Sequence, residues 1–244
     1  MRLQFLGCGD AFGSGGRFNT CFHVSAGETA FLIDCGASSM VAMRKFGVDP
    51  NRIATVFLSH LHGDHFGGLP FMILDAQLIS RRSAPLTIAG PPGLAERLRA
   101  TMEALFPGSS TAARKFALDI RELTPGERQV VNGVAVTPFE ARHSAGAPPF
   151  APRIEWDGKV IAYSGDTEWT ETLIPAGRGA DLFISECSSY DRQVRHHLDW
   201  QTLRPHLQEI GAKRVILTHF NPDMLARLNE IGCETAEDGK IVEL

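Results

Sequence analysis

Ten consecutive residues constrain this chain more than any others. Ser59-His60-Leu61-His62-Gly63-Asp64-His65-Phe66-Gly67-Gly68 places three histidines and one carboxylate within six positions. The apolar run ahead of it, residues 53–58, has the β-branched and aromatic content of a buried strand. Residues 66–80 behind it are apolar enough and long enough to form a helix. The stretch therefore predicts a strand, a loop carrying the donors, and a helix, with the histidines at the C-terminal end of the strand where a rigid scaffold can aim them. Neutral imidazole is the commonest ligand of zinc-like cations, and a nearby carboxylate adds hard oxygen and negative charge. A polar loop that is rich in histidine by accident is the bland alternative, and four ligand-type side chains among six positions argue against it.

The rest of the chain repeats the pattern of a β run followed by a donor. Residues 3–6 read as a strand running into a glycine-rich loop, 7–16, which is either an active-site rim bringing Asp10 near the metals or a turn. Residues 20–24 and 30–34 read as paired strands, 37–46 as a helix stopped by Gly47. A short strand at 86–89, a helix from Gly90-Pro91-Pro92-Gly93 to about 105, and strands at 115–123 and 129–138 joined at Pro125-Gly126 follow. His143 comes just past the last of these, which raises it above the usual structural role of a lone histidine. Residues 151–156 and 159–163 flank Asp157-Gly158, a hairpin signal, and deliver Ser164-Gly165-Asp166-Thr167. A strand at 181–184 ends in Ser185-Glu186-Cys187. A helix at 200–210, a strand at 213–217 ending in Thr218-His219-Phe220, a helix capped by Asn221 and a small terminal hairpin around Asp238-Gly239 complete the reading.

Composition narrows the class. A chain of 244 residues with 43% hydrophobic residues can bury a sizeable core. No linker or low-complexity run divides it, so one domain over 1–244 is expected. The formal net charge is −4, without the basic stripe of a nucleic-acid binder. Five cysteines, none in Cys-x-x-Cys spacing, read as reduced and cytoplasmic. The first residues lack a signal-peptide pattern, and no apolar run approaches membrane-spanning length, so no membrane association is expected.

His-x-His-x-Asp-His, with Ser before it and Phe-Gly-Gly-Leu-Pro after it, resembles the first metal motif of the metallo-β-lactamase superfamily, in its RNase Z and phosphodiesterase branch. His143, Asp166 and His219 match the later motifs in order, so the resemblance spans most of the chain. It implies an α/β fold of the four-layer αββα sandwich type, with metals on one edge. It also implies that His60, His62 and His143 hold one divalent metal, that Asp64, His65 and His219 hold another, and that Asp166 bridges them. Asp34 matches the aspartate behind the site, orienting a histidine. Zinc suits these donors, and manganese and iron share them. Two cations roughly 3.5–4 Å apart polarise an ester oxygen and lower the pKa of a shared water toward 7, and Asp64 would also take the nucleophile's proton. His62 in place of a glutamate breaks the di-iron oxygen-reducing pattern of the superfamily, and no cysteine stands at a ligand position.

In RNase Z-like enzymes a non-ligand histidine lies 22 residues before the last metal histidine. His197 has that spacing from His219, and Glu186-Cys187-Ser188 matches the glutamate that partners it. Such a histidine protonates a leaving oxygen; His196 is the fallback for the role. The serine or threonine residues that follow it in the family are Leu198 and Asp199 here. The long arm with which tRNA-processing relatives grip tRNA has no room in the 23 residues from His143 to Asp166. The expectation is a dinuclear phosphodiesterase using a metal-bound hydroxide on a small or cyclic phosphodiester, with tRNA disfavoured. Hydrolysis of a carboxyl, lactone or sulfate ester, RNase Z-type cleavage of RNA, and a non-catalytic metal-binding module are the alternatives, the last the least favoured. Family dimers pack beside the active site, so a homodimer is also implied. Phe12, Phe18, Pro148, Pro149, Phe150, Trp169 and Tyr190 are either lining of the substrate mouth or core.

Overall fold

Leu3 and Phe5 belong to one apolar cluster and Leu6 to another, as the two-residue period of a strand buried on both faces requires. The same division runs through the whole computed structural model, which describes residues 1–244. The strands are β1 (Arg2–Gly7), β2 (Cys21–Ala26), β3 (Thr29–Ile33), β4 (Ile53–Phe57), β5 (Leu86–Gly90), β6 (Leu118–Glu122), β7 (Gln129–Val131), β8 (Val134–Glu140), β9 (Phe150–Trp156), β10 (Lys159–Tyr163), β11 (Leu182–Glu186), β12 (Val215–Thr218), β13 (Glu234–Thr235) and β14 (Ile241–Glu243). One seven-stranded sheet runs β14-β1-β2-β3-β4-β5-β6 and the other β13-β12-β11-β10-β9-β8-β7.

Between the sheets lie Phe5, Phe22, Phe31, Phe57, Tyr163, Ile184 and Ile216, all buried. Phe22 makes edge-to-face contacts with both Phe5 and Tyr163 at about 5 Å. Truncating such a ring to alanine costs about 3–5 kcal/mol. The outer face of the first sheet is covered by α1 (Ser39–Lys45), α3 (Leu69–Leu78) and α4 (Leu94–Leu105), through Leu32, Met43, Val56, Ile73, Ile88 and Leu98. The outer face of the second is covered by α5 (Leu173–Gly177), α6 (Trp200–Leu203), α7 (Leu207–Ile210) and α8 (Pro222–Ala226), around Phe183, Leu203, Ile210, Leu217 and Phe220. The architecture is the expected αββα sandwich. No helix is long and apolar enough to cross a membrane.

Several local expectations are corrected. The helix expected over 66–80 is divided: α2 (Gly63–Phe66) begins inside the histidine motif, and α3 starts only after Gly67-Gly68. A Cβ on Gly68 would lie 2.4 Å from the Gly36 carbonyl oxygen, so this break lets two loops approach closely. Asp64 and His65 therefore stand on a helical turn rather than in an open loop. The strand expected over 129–138 is the hairpin β7–β8, turned at Asn132-Gly133 with φ of 50° and 82°, as a type I′ turn requires. β6 and β7, expected as strands joined at Pro125-Gly126, lie in different sheets. The helix expected over 200–210 passes through a 3-10 turn at Arg204–His206, where Pro205 withholds an amide. The terminal hairpin is absent: β13 pairs with β12 and β14 with β1, so the last residues cross from one sheet to the other. Asp238 explains the crossing. Its carboxylate accepts from the amides of Cys8 at 3.1 Å and Phe18 at 2.8 Å, which anchors the supposed turn to the first sheet.

Candidate metal centre and active site

Each donor stands just past the C-terminal end of a strand. His60, His62, Asp64 and His65 follow β4, His143 follows β8, Asp166 follows β10 and His219 follows β12. These ends gather at one edge of the sandwich. Ligand atoms of His60, His62 and His143 lie within 4.8 Å of one another, and so do those of Asp64, His65, Asp166 and His219. Asp166 reaches toward both sets. Its oxygens lie 3.2 Å from His65 Nε2, 3.4 Å from His219 Nε2 and 3.9 Å from His60 Nε2. His62 Nδ1 and His143 Nε2 face each other at 3.0 Å.

The surroundings bias His60, His143 and Asp64 toward the forms that ligate. Burial, reinforced by the neighbouring imidazoles, holds His60 well below the usual histidine range. Burial likewise lowers His143, to about 4. Both rings are thus neutral near pH 7, the form that binds a cation. Burial works against ionised Asp64, but His65 and His219 outweigh it and keep the carboxyl well below its usual range. At the centre the buried His60 Nε2 has no hydrogen-bond partner in the protein, and His65 Nε2 and Asp166 Oδ1, 3.2 Å apart, meet without hydrogen-bond geometry. A buried polar atom left unpaired costs about 1–3 kcal/mol. A set of imidazole nitrogens and carboxylate oxygens that converge with such atoms exposed to one another fits divalent cations of the zinc type.

The outer contacts fix ring orientation. Asp34 Oδ2 lies 2.7 Å from His65 Nδ1 and accepts from Ser59 Oγ at 2.7 Å, while its Oδ1 accepts from the Ser59 amide. With Nδ1–H committed to Asp34, His65 offers Nε2 to the site. Asp34 and His219 have φ of 59° and 63°, left-handed values uncommon outside glycine. Gly36 lets the loop after β3 press on the motif, since a Cβ there would lie 2.0 Å from the Asp64 carbonyl oxygen. Asparagine tolerates left-handed φ, so Asp34→Asn tests the carboxylate rather than the backbone. Metal affinity is expected to fall by roughly 10–100-fold, measured by competition with a chromogenic chelator. Unchanged affinity would remove Asp34 from the support of His65.

Beside the donors, His197 Nδ1 lies 3.0 Å from Glu186 Oε2 and 3.9 Å from Asp166 Oδ2. Burial disfavours the imidazolium, but the Glu186 carboxylate outweighs it and pushes His197 up to about 9. Burial raises Glu186 as well, against the pull of His197. The direction that follows from the close contact is a proton resting on His197. His196 does not take this place: its Nδ1 lies 3.6 Å from Glu168, and its carbonyl oxygen lies 2.8 Å from His143 Nδ1. Asp10 is not among the donors. It accepts from the Phe12 and Ser14 amides and from Ser14 Oγ, so the 7–16 loop is a turn closed by its own aspartate.

The residues expected at the mouth divide. Trp169 lines a cavity of about 460 Å³ together with Glu168, Gln193, Arg195 and His197, and its indole stacks on His206 at 3.7 Å. Phe150 is core, Phe18 packs against Phe46, Tyr190 lies under Arg227, and Phe12 is 92% exposed. Glu168 and the His196 carbonyl had no signal in the sequence, because an acidic residue after a motif and a main-chain oxygen are both unremarkable in a one-dimensional reading.

A protein-family model described as "Anti-Pycsar protein Apyc1" matches residues 1–238. A ribonuclease Z of Mycobacterium bovis is 29% identical over 242 residues, covering 91% of this chain and 86% of the relative. The crystal structure of human tRNase Z, short form, superposes with a TM-score of 0.81 at 26% identity, covering 100% of this chain and 99% of that one. The metallo-β-lactamase fold protein YhfI of Bacillus subtilis superposes with a TM-score of 0.79 at 20% identity, covering 99% and 98%.

Proposed function

The chain belongs to the Apyc1 anti-Pycsar family, its relatives and donor cluster mark it as a metal-dependent phosphoric diester hydrolase, and we propose that its substrate is a small or cyclic phosphodiester. The observation that carries this reading is the His197–Glu186 pair set directly beside two groups of metal donors. A hydrolase of activated carboxyl or sulfate esters has less need of a separate proton donor, whereas an alkoxide leaving a phosphodiester requires one.

In this reading His60, His62 and His143 would hold one cation and Asp64, His65 and His219 the other, with Asp166 within reach of both groups. When bound, the cations supply Lewis acidity and a water of lowered pKa. The chain's own groups do the rest. Asp64 would accept the proton of the attacking water on its carboxylate. His197 delivers a proton to the departing ester oxygen, and Glu186 orients the ring and stabilises its charged form. Zinc is the metal best matched to this nitrogen-rich set, with manganese or iron as substitutes.

A small substrate is supported by the size of the adjoining cavity, within the range of small-molecule pockets. The interval between His143 and Asp166 is occupied by the β9–β10 hairpin, and the net charge of −4 offers little to an extended RNA. The test is steady-state turnover by zinc- or manganese-loaded protein of nucleoside cyclic monophosphates, bis(p-nitrophenyl) phosphate, a precursor tRNA, and carboxyl and sulfate esters. The cyclic diesters are expected to give the highest kcat/KM. Efficient, position-specific cleavage of the tRNA, or a preference for carboxyl or sulfate esters, would overturn the reading.

Two further parts of the reading concern the protein's setting. Val41, Phe71, Leu78 and Ile79 expose a contiguous apolar face around the Arg44–Asp75 ion pair. Such a face fits a second copy of the chain, because a two-fold axis would set one apolar patch against its twin. Sedimentation at micromolar concentration is expected to give a dimer that Leu78→Glu with Ile79→Glu dissociates; a monomeric wild type rejects it. All five cysteines are unpaired, which suits the reducing cytoplasm.

A further inference from the structure

We infer that Glu168 is a positioning residue that clasps the His196 peptide and thereby locks the proton donor His197 and the metal-site histidine His143 into one unit. This rests on the phosphodiesterase reading above. Residues 190–197 contain no helix or strand, yet they carry His197. Within them His196 has φ of 69°, a left-handed conformation that is uncommon and unfavourable for a residue other than glycine. Such a residue persists where its surroundings hold it, and both of its main-chain groups are held. Its amide donates to Glu168 Oε1 at 2.8 Å, and its carbonyl oxygen accepts from His143 Nδ1 at 2.8 Å.

The contact to His143 has a chemical effect. With Nδ1–H committed to the His196 carbonyl, His143 presents Nε2 to the donor cluster. The amide contact has a second effect, because His197 is the next residue and its ring must meet Glu186 at 3.0 Å. Glu168 is itself well anchored: its amide donates to the Arg142 carbonyl at 2.9 Å. Three consecutive residues thus divide the work. Asp166 faces both donor sets, the Thr167 amide donates to Glu186, and Glu168 holds the loop that carries the proton donor. A hydrogen bond to a carboxylate is roughly twice as strong as a neutral one, which offsets the 43% exposure of the Glu168 side chain.

The rival is that Glu168, as a wall of the cavity, contacts substrate directly or merely decorates the surface. Glu168→Ala removes the acceptor, and Glu168→Gln keeps an amide oxygen in its place. Each is compared with wild type as the zinc-loaded protein, by turnover of a nucleoside cyclic monophosphate and by hydrogen exchange of the 193–197 amides. The alanine variant is expected to lose roughly 10–100-fold in kcat with KM nearly unchanged, and to exchange the His196 and His197 amides faster. The glutamine variant is expected to recover most of both. Added to His197→Ala, Glu168→Ala is expected to cost less than it does alone, because the part that acts through His197 is already lost and only the part that acts through His143 remains. A glutamine variant as impaired as alanine, an effect confined to KM, or wild-type exchange in the alanine variant would overturn the inference. If wild type turned over no diester, the phosphodiesterase reading would fail, while the exchange comparison would still decide whether the clasp exists.

Discussion

Asp166→Asn is expected to abolish diester hydrolysis, with a loss of at least about 10³-fold, equivalent to about 4 kcal/mol of transition-state stabilisation. Asp166 is 2% exposed and lies against histidines of both donor sets. Asparagine preserves its shape and removes the one property the site draws on, an anion with oxygens available on two sides. Burial alone would raise this carboxyl, yet His219, His65 and His60 hold it well below its usual range. The amide would leave those rings facing a neutral group, and breaking a buried charge pair on one side costs about 3–5 kcal/mol. Bound zinc, measured by mass spectrometry after dialysis, is expected to fall to half of the wild-type content or less. A variant with full metal content and more than a tenth of wild-type kcat would remove Asp166 from a shared position.

His197→Ala is expected to lose about 100-fold or more in kcat at unchanged metal content, the contribution of a positioned general acid, or about 2.7 kcal/mol. The size of the loss should depend on the leaving group. A nucleoside alkoxide is a poor leaving group and needs the proton, whereas p-nitrophenolate departs with little help. The variant is therefore expected to be more impaired on a cyclic nucleotide than on bis(p-nitrophenyl) phosphate. Equal losses on both substrates would point to a structural role for the ring, and no loss on either would make His197 a bystander. His196→Ala separates the neighbouring side chain from its backbone, and its smaller effect would assign the acid to the residue that meets Glu186.

The donors were legible in the sequence because their chemistry is distinctive and their order is unusual. His60, His62, Asp64 and His65 announce themselves within six positions, and His143, Asp166 and His219 each follow an apolar run. The choice between His196 and His197 was only partly legible: the spacing to His219 favoured His197, but adjacent residues differ in direction only once the loop between 190 and 197 is folded. The crossing of the terminal segment was hidden for a related reason. Asp238-Gly239 has the composition of a hairpin turn, but its carboxylate is satisfied by amides more than two hundred residues away. The β7–β8 turn is a different case. Asn132-Gly133 is a strong local signal, and the apolar residues on both sides made two short strands resemble one.

The donors come from opposite sides of the sandwich: one set of side chains follows β4 of the first sheet, and the others follow β8, β10 and β12 of the second. His62 and His143 are 81 residues apart, and Asp64 and His219 are 155 apart. Cations held between them would act as cross-links joining the two sheets, closing these long loops. Sliding one sheet from the other would require every such bond to open first. Unfolding of the loaded protein should therefore be slow and governed by metal release, and its rate should climb with the concentration of a strong chelator in the absence of any denaturant.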